Sequence, residues 1–116
     1  MKISDNLKRG SVELVLLTLL KECDMYGYQL SQELAIRSDN RYKLADSSLY
    51  PILYRMIDKK LISEHRVLVG KRKMRVYYHI EEEGIVYLEQ AMEEYLSTVG
   101  GVLKILGKRI EEDVTQ

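Results

Sequence analysis

The 116-residue chain has one cysteine, one proline and neither tryptophan nor phenylalanine, and these shortages exclude several classes of protein. Cys23 alone can close no internal disulfide and build no metal site, which fits a reducing compartment and a small, partly buried thiol. Apolar runs are short. The longest, Val12 to Leu20, is interrupted by Glu13 and Thr18, whereas a membrane span takes roughly 20 apolar residues. The opening stretch Met1 to Asn6 has no apolar core followed by a small-residue cleavage site, so a cytoplasmic protein without membrane contact is expected. No glycine-rich phosphate loop is present, and His65 and His79 are the only histidines. The residues that enzymes draw on are therefore scarce, and neither catalysis nor a cofactor is expected. Glu81, Glu82 and Glu83 are adjacent, so on a helix they point in different directions and read as a charged helix start rather than an acid/base cluster.

Net charge is absent only in total. The chain balances 18 basic against 18 acidic residues, but residues 1 to 80 carry 15 against 9 and residues 81 to 116 carry 3 against 9. A basic body with an acidic tail is the pattern expected when one part meets a polyanion and the other meets solvent or a second subunit.

What the chain does have is helical patterning broken once by a β signal. Val12 to Leu20 is apolar on nearly every side behind Gly10-Ser11, and predicts a buried helix. Tyr26, Leu30 and Leu34 recur every four residues and predict a second. Ser38 to Asp46 is rich in turn formers and reads as a loop. Leu49, Ile52, Leu53, Met56, Ile57 and Leu61 form one apolar stripe, the third helix. Ser47 or Ser48 caps it, and the later is preferred because a cap at Ser48 puts Pro51 in the first turn, where no amide hydrogen is needed. Ile62 to Val69 and Val76 to Ile80 are rich in β-branched and aromatic residues around Gly70-Lys71-Arg72-Lys73, and predict a hairpin. Its second strand should turn Val76, Tyr78 and Ile80 to one face and Arg75, Tyr77 and His79 to the other.

From Glu81 a helix of about 30 residues is expected, in which Ile85, Leu88, Met92, Tyr95, Val99, Val102 and Leu106 follow a heptad seam. At ~45 Å it would outrun the body before it, so a second copy of the chain is the simplest cover. Gly100-Gly101 in its middle allows a close helix approach, a bend or a break.

Three helices followed by a basic hairpin is the order of a winged helix-turn-helix. The fold class is thus mainly α with a small β-hairpin, residues 1–80 forming the DNA-binding domain and 81–116 a long C-terminal dimerisation helix. In such a fold the third helix offers its outer side chains to base edges in the major groove of double-stranded DNA, and the wing reaches flanking phosphates. The candidate DNA contacts are Ser47, Ser48, Tyr50, Tyr54, Arg55 and Lys59 on the helix, and Lys71, Arg72, Lys73 and Arg75 on the wing. For Tyr50 and Tyr54 the alternative is packing against the wing, and for Lys71 to Lys73 a solvated turn.

Several motifs carry a resemblance to the PadR-type transcriptional regulators, specifically the short subgroup with a single C-terminal dimerisation helix. They are Arg9-Gly10-Ser11, Tyr26-Gly27-Tyr28-Gln29-Leu30, Ser48-Leu49-Tyr50-Pro51-Ile52-Leu53-Tyr54-Arg55-Met56, Leu61-Ile62, Arg75-Val76-Tyr77-Tyr78-His79-Ile80 and Glu82-Glu83-Gly84. The resemblance covers approximately Leu7 to Leu106. It implies a homodimeric repressor of an operator with approximate two-fold symmetry, released in some members by a small aromatic or drug-like effector. In the drug-responsive branch an aromatic residue from each dimerisation helix lines a flat central pocket. Tyr95 falls at the comparable place, flanked by Met92 and Val99, although the lack of tryptophan argues against a planar sandwich and leaves Tyr95 readable as an ordinary seam residue. The rival to DNA binding is a winged-helix module that holds a protein through Tyr50 and Tyr54.

Overall fold

The computed structural model describes residues 3–110. Its elements are α1 (Ile3–Lys8), α2 (Val12–Glu22), β1 (Met25–Tyr26), α3 (Gly27–Arg37), α4 (Asp46–Asp58), β2 (Ile62–Leu68), β3 (Met74–Ile80) and α5 (Glu82–Leu106). The leucine-rich face of α2 explains its place at the centre. Leu14, Leu16, Leu17, Leu19 and Leu20 are all buried, joined by Leu30 and Leu34 of α3 and by Leu49, Leu53 and Met56 of α4. Each such side chain contributes about 1.5–3 kcal/mol through burial. The inward residues of the sheet, Ile62, Tyr78 and Ile80, close the core from the other side.

The sheet is antiparallel with strand order β1-β3-β2. The expected hairpin is found, with Ile62 opposite Ile80 and Leu68 opposite Met74. The expected faces of β3 are also found: Tyr78 and Ile80 are buried, and His79 is exposed. The two-residue β1 and the six-residue α1 add to the predicted elements. Met25 and Tyr26 pair with Tyr78 and Tyr77, and so staple the start of α3 to the wing.

Three details correct the sequence reading. The third helix, α4, begins at Asp46 rather than behind a serine cap: the Ala45 carbonyl accepts from the amides of Ser48 and Leu49, both at 2.9 Å, and no side chain caps the end. Pro51 therefore lies in the second turn. The hydrogen bond it cannot donate would have gone to the Ser47 carbonyl, and both residues are exposed, where water can take that role. The last helix is shorter than expected. Its 25 residues extend ~37 Å and stop at Gly107, whose φ of 71° is the left-handed turn that favours glycine. Gly107 and Lys108 donate to the carbonyls of Lys104 and Leu103, both at 3.1 Å. The helix runs unbroken through Gly100-Gly101, and among the described residues no other part of the chain packs against either glycine.

The third correction concerns the seam, which serves two purposes. Leu88 is 1% exposed and belongs to the core of its own chain, with Ile85 and Tyr95 packed against that core. Val102 and Leu106, by contrast, are 49% and 62% exposed. The body covers the first half of α5 and leaves the second half bare. Gly84 makes the close approach possible, since a Cβ there would collide with the Leu61 carbonyl. Among the described residues no helix is long and apolar enough to cross a membrane.

Candidate nucleic-acid interface

The amphipathic stripe of α4 faces inward through Leu49, Leu53 and Met56, which forces the opposite side of the helix into solvent. That outer side lies between two clefts. One, of about 680 Å³, separates α4 from the wing and is lined by Tyr50, Tyr54, Lys73 and Arg75, together with Tyr28 and Arg66. The other, of about 670 Å³, lies toward α1 and α2 and is lined by Ser48, Arg55 and Lys59, together with Lys8, Arg9 and Lys43. Cations therefore flank the helix on both sides.

The structure brings together seven of the ten expected contacts along these clefts. Ser47, Lys71 and Arg72 line neither; Ser47 is exposed in the first turn of α4, and the other two are exposed in the turn between β2 and β3. The two tyrosines have parted. Tyr54 is 55% exposed, while Tyr50 is half-buried with its ring against Gly27, leaving no room there for a side chain. The rings lie 6.3 Å apart, and burial raises the Tyr50 hydroxyl above its ordinary pKa. Tyr50 thus packs between α4 and α3, and Tyr54 is the tyrosine that points outward.

Arg75 is also held. Its guanidinium lies 4.1 Å from the centre of the Tyr26 ring, on the sheet face shared with Tyr77 and turned away from the core. The wing residue that alternation places on the core-facing side is Arg66, two steps from Glu64 and four from Ile62. Arg66 and Tyr28 were missed by the sequence reading. The alternation of β2 was sufficient to find Arg66, whereas Tyr28, Lys8, Arg9 and Lys43 approach α4 only through the tertiary fold.

Two networks fix this surface. The Glu13 carboxylate of α2 accepts from Tyr87 of α5 at 2.7 Å and from Lys59 at 3.1 Å, and Arg55 lies 3.7 Å away. Burial raises the Glu13 carboxyl, but these hydrogen bonds and charges outweigh it and leave its pKa below the ordinary value. The Tyr87 hydroxyl is pushed up to about 12 by donating to Glu13 and by burial. On the outer face of the central strand β3, His79 Nδ1 donates to Asp24 at 2.7 Å, and that carboxylate raises the imidazole pKa.

The expected effector residues are dispersed. Met92 lines an apolar pocket of about 270 Å³ with Leu14, Leu19, Leu34 and Tyr42, but Tyr95 and Val99 do not. Among the described residues no group of three or more His, Cys, Asp or Glu is placed to hold a metal ion.

A helix flanked by cations, beside a basic hairpin, in a three-stranded winged helix defines a DNA-binding transcriptional regulator. The comparisons give the family. The model of the transcriptional regulator PadR-like family matches residues 16–90, and the chain belongs to that family, whose members are regulators rather than enzymes. A transcriptional regulator from Clostridium thermocellum is 34% identical, with a TM-score of 0.79 over 85% of this chain and 96% of that one. A PadR family regulator from Eggerthella lenta is 28% identical, with a TM-score of 0.78 over 90% and 88% of the two chains. An uncharacterised protein of Lysinibacillus sphaericus is 30% identical over 93 residues, which is 80% of this chain and 85% of that one.

Proposed function

We propose that the chain is a cytoplasmic repressor that acts as a homodimer on a pseudo-palindromic operator. Residues 1–80 bind double-stranded DNA and residues 81–116 pair two copies. The observation that carries this reading is the pair of cationic clefts on either side of the exposed face of α4. Tyr54 and Arg55 enter the major groove, Ser47 and Ser48 meet a phosphate at the helix start, and Lys59 extends the contact. Lys71, Arg72 and Lys73 of the wing, with Arg66 behind them, follow the neighbouring backbone strand, and Arg75 supports the wing through Tyr26.

The pairing half of the reading is supported by the bare end of α5, where the seam continues through half-buried Val99 to Val102 and Leu106, 49% and 62% exposed. An apolar row of this length on one helix calls for another helix. A small aromatic effector would enter beside Met92, where the apolar pocket opens, with Tyr95 and Val99 joining it across the paired helices. Membrane contact forms no part of this reading.

Gel shift of the purified protein on its own upstream DNA, against excess random competitor and across a salt series, tests the reading. A dimer neutralising about 6 to 10 phosphates loses on the order of 10³ to 10⁵ in affinity between 50 and 200 mM salt. Weak salt dependence, or no shift at low salt, would instead favour a protein-binding module anchored on Tyr54.

A further inference from the structure

Glu13 belongs to α2, yet side chains from two other elements converge on its carboxylate. Tyr87 of α5 donates to Oε1, and Lys59, the residue that ends α4, donates to Oε2. Arg55 presents Nε to the same Oε2, at 3.7 Å. Lys59 also lies 5.6 Å from the centre of the Tyr87 ring. The Glu13 side chain is 17% exposed, against 57% for Arg55 and 45% for Lys59. The carboxylate is thus fixed, and the two cations are held by it while still facing solvent.

The atom by which Arg55 is held determines what remains free. Nε is the guanidinium nitrogen nearest the carboxylate, and at 3.7 Å the pair is a charge contact rather than a hydrogen bond, so the terminal nitrogens keep their donors for another partner. Those are the donors that form a paired contact with a guanine edge. At a matching sequence Arg55 can therefore read a base without leaving Glu13. At an arbitrary sequence the available return is a phosphate, and long side chains must swing away from the carboxylate to reach one. The same holds for Lys59, which lies in one cleft with Lys8, Arg9 and Lys43, where an unopposed cluster of cations would attract any DNA.

We propose that Glu13 is a specificity-determining positioning residue, held in place by Tyr87, which orients Arg55 and Lys59 and penalises binding to DNA of arbitrary sequence. The proposal rests on α4 meeting DNA, and its test separates the two claims. A duplex site is first selected from a randomised pool with the wild-type protein. Wild type, Glu13→Gln and Tyr87→Phe are then titrated against that site and against random duplex of equal length.

Glu13→Gln is expected to bind random duplex about threefold to tenfold more tightly, as loss of one nearby negative charge implies, and to bind the selected site no better. The ratio of the two affinities falls accordingly, and the salt slope on random duplex steepens. Tyr87→Phe moves the ratio in the same direction by less, and decides the matter alone if the Gln variant does not fold. A ratio unchanged in the folded variants, or equal weakening on both duplexes, overturns the role of Glu13 while leaving the DNA reading intact. A wild-type protein that selects no site overturns both.

Discussion

Tyr50 and Tyr54 stand one turn apart on α4, and their sequence spacing gives both an outward address. Spacing describes a helix face; it does not show what packs on that face. Gly27 at the start of α3 accepts the Tyr50 ring while Tyr54 stays 55% exposed, a difference that needed the fold. Tyr50→Ala should therefore lower stability by about 1–3 kcal/mol, visible as a lower Tm. Tyr54→Ala should keep the Tm and weaken DNA binding; equal Tm losses would contradict this division. The His79–Asp24 pair was also hidden, because its members are 55 residues apart in sequence. Asp24 raises the folded-state pKa of His79 above its ordinary 6.5. Its stabilisation is therefore complete below that value and lost as pH rises through the raised one. The Tm advantage of wild type over His79→Gln should be full below pH 6.5 and shrink as pH rises through the raised value. A constant difference would show that the pair does not titrate in this way.

At the scale of elements, strong periodicity was readable and short or externally fixed structure was not. The apolar runs of α2 and α4 and the β-branched strands of the wing lie where their patterns put them. β1 has two residues and owes its existence to hydrogen bonds with β3, so no local pattern announces it. The start of α4 moved because backbone bonds to Ala45, rather than a serine hydroxyl, end the loop. On the wing, the density of Lys71, Arg72 and Lys73 was legible, and the contribution of Arg66 depends on which face of β2 meets α4. Lys73→Ala and Arg66→Ala should each reduce the salt slope of DNA binding by about 1 unit per monomer. Thermal unfolding should be unchanged, since Lys73 and Arg66 are exposed. An unchanged slope in both would remove the wing from the interface.

For the whole molecule, the division between body and tail was written in the charge distribution, but the point where the seam leaves the body was not. Leu88 and Val102 occupy the same heptad pattern, yet one is in the core and the other in solvent. Geometry decides this: α5 reaches past a body that covers only its first half. A charge at Leu88 would unfold the chain, whereas Val102→Asp should yield a folded monomer by sedimentation, with much weakened operator binding. A folded Val102→Asp dimer would place the pairing surface elsewhere.

The central claim, a dimer presenting two copies of α4 to one face of DNA, is tested most directly by hydroxyl-radical footprinting on a selected site. Two protected half-sites related by a two-fold axis, with centres about 10 bp or a multiple apart, are predicted, with protection of the outer backbone by the wings. A single protected half-site, or protection without two-fold symmetry, would contradict it.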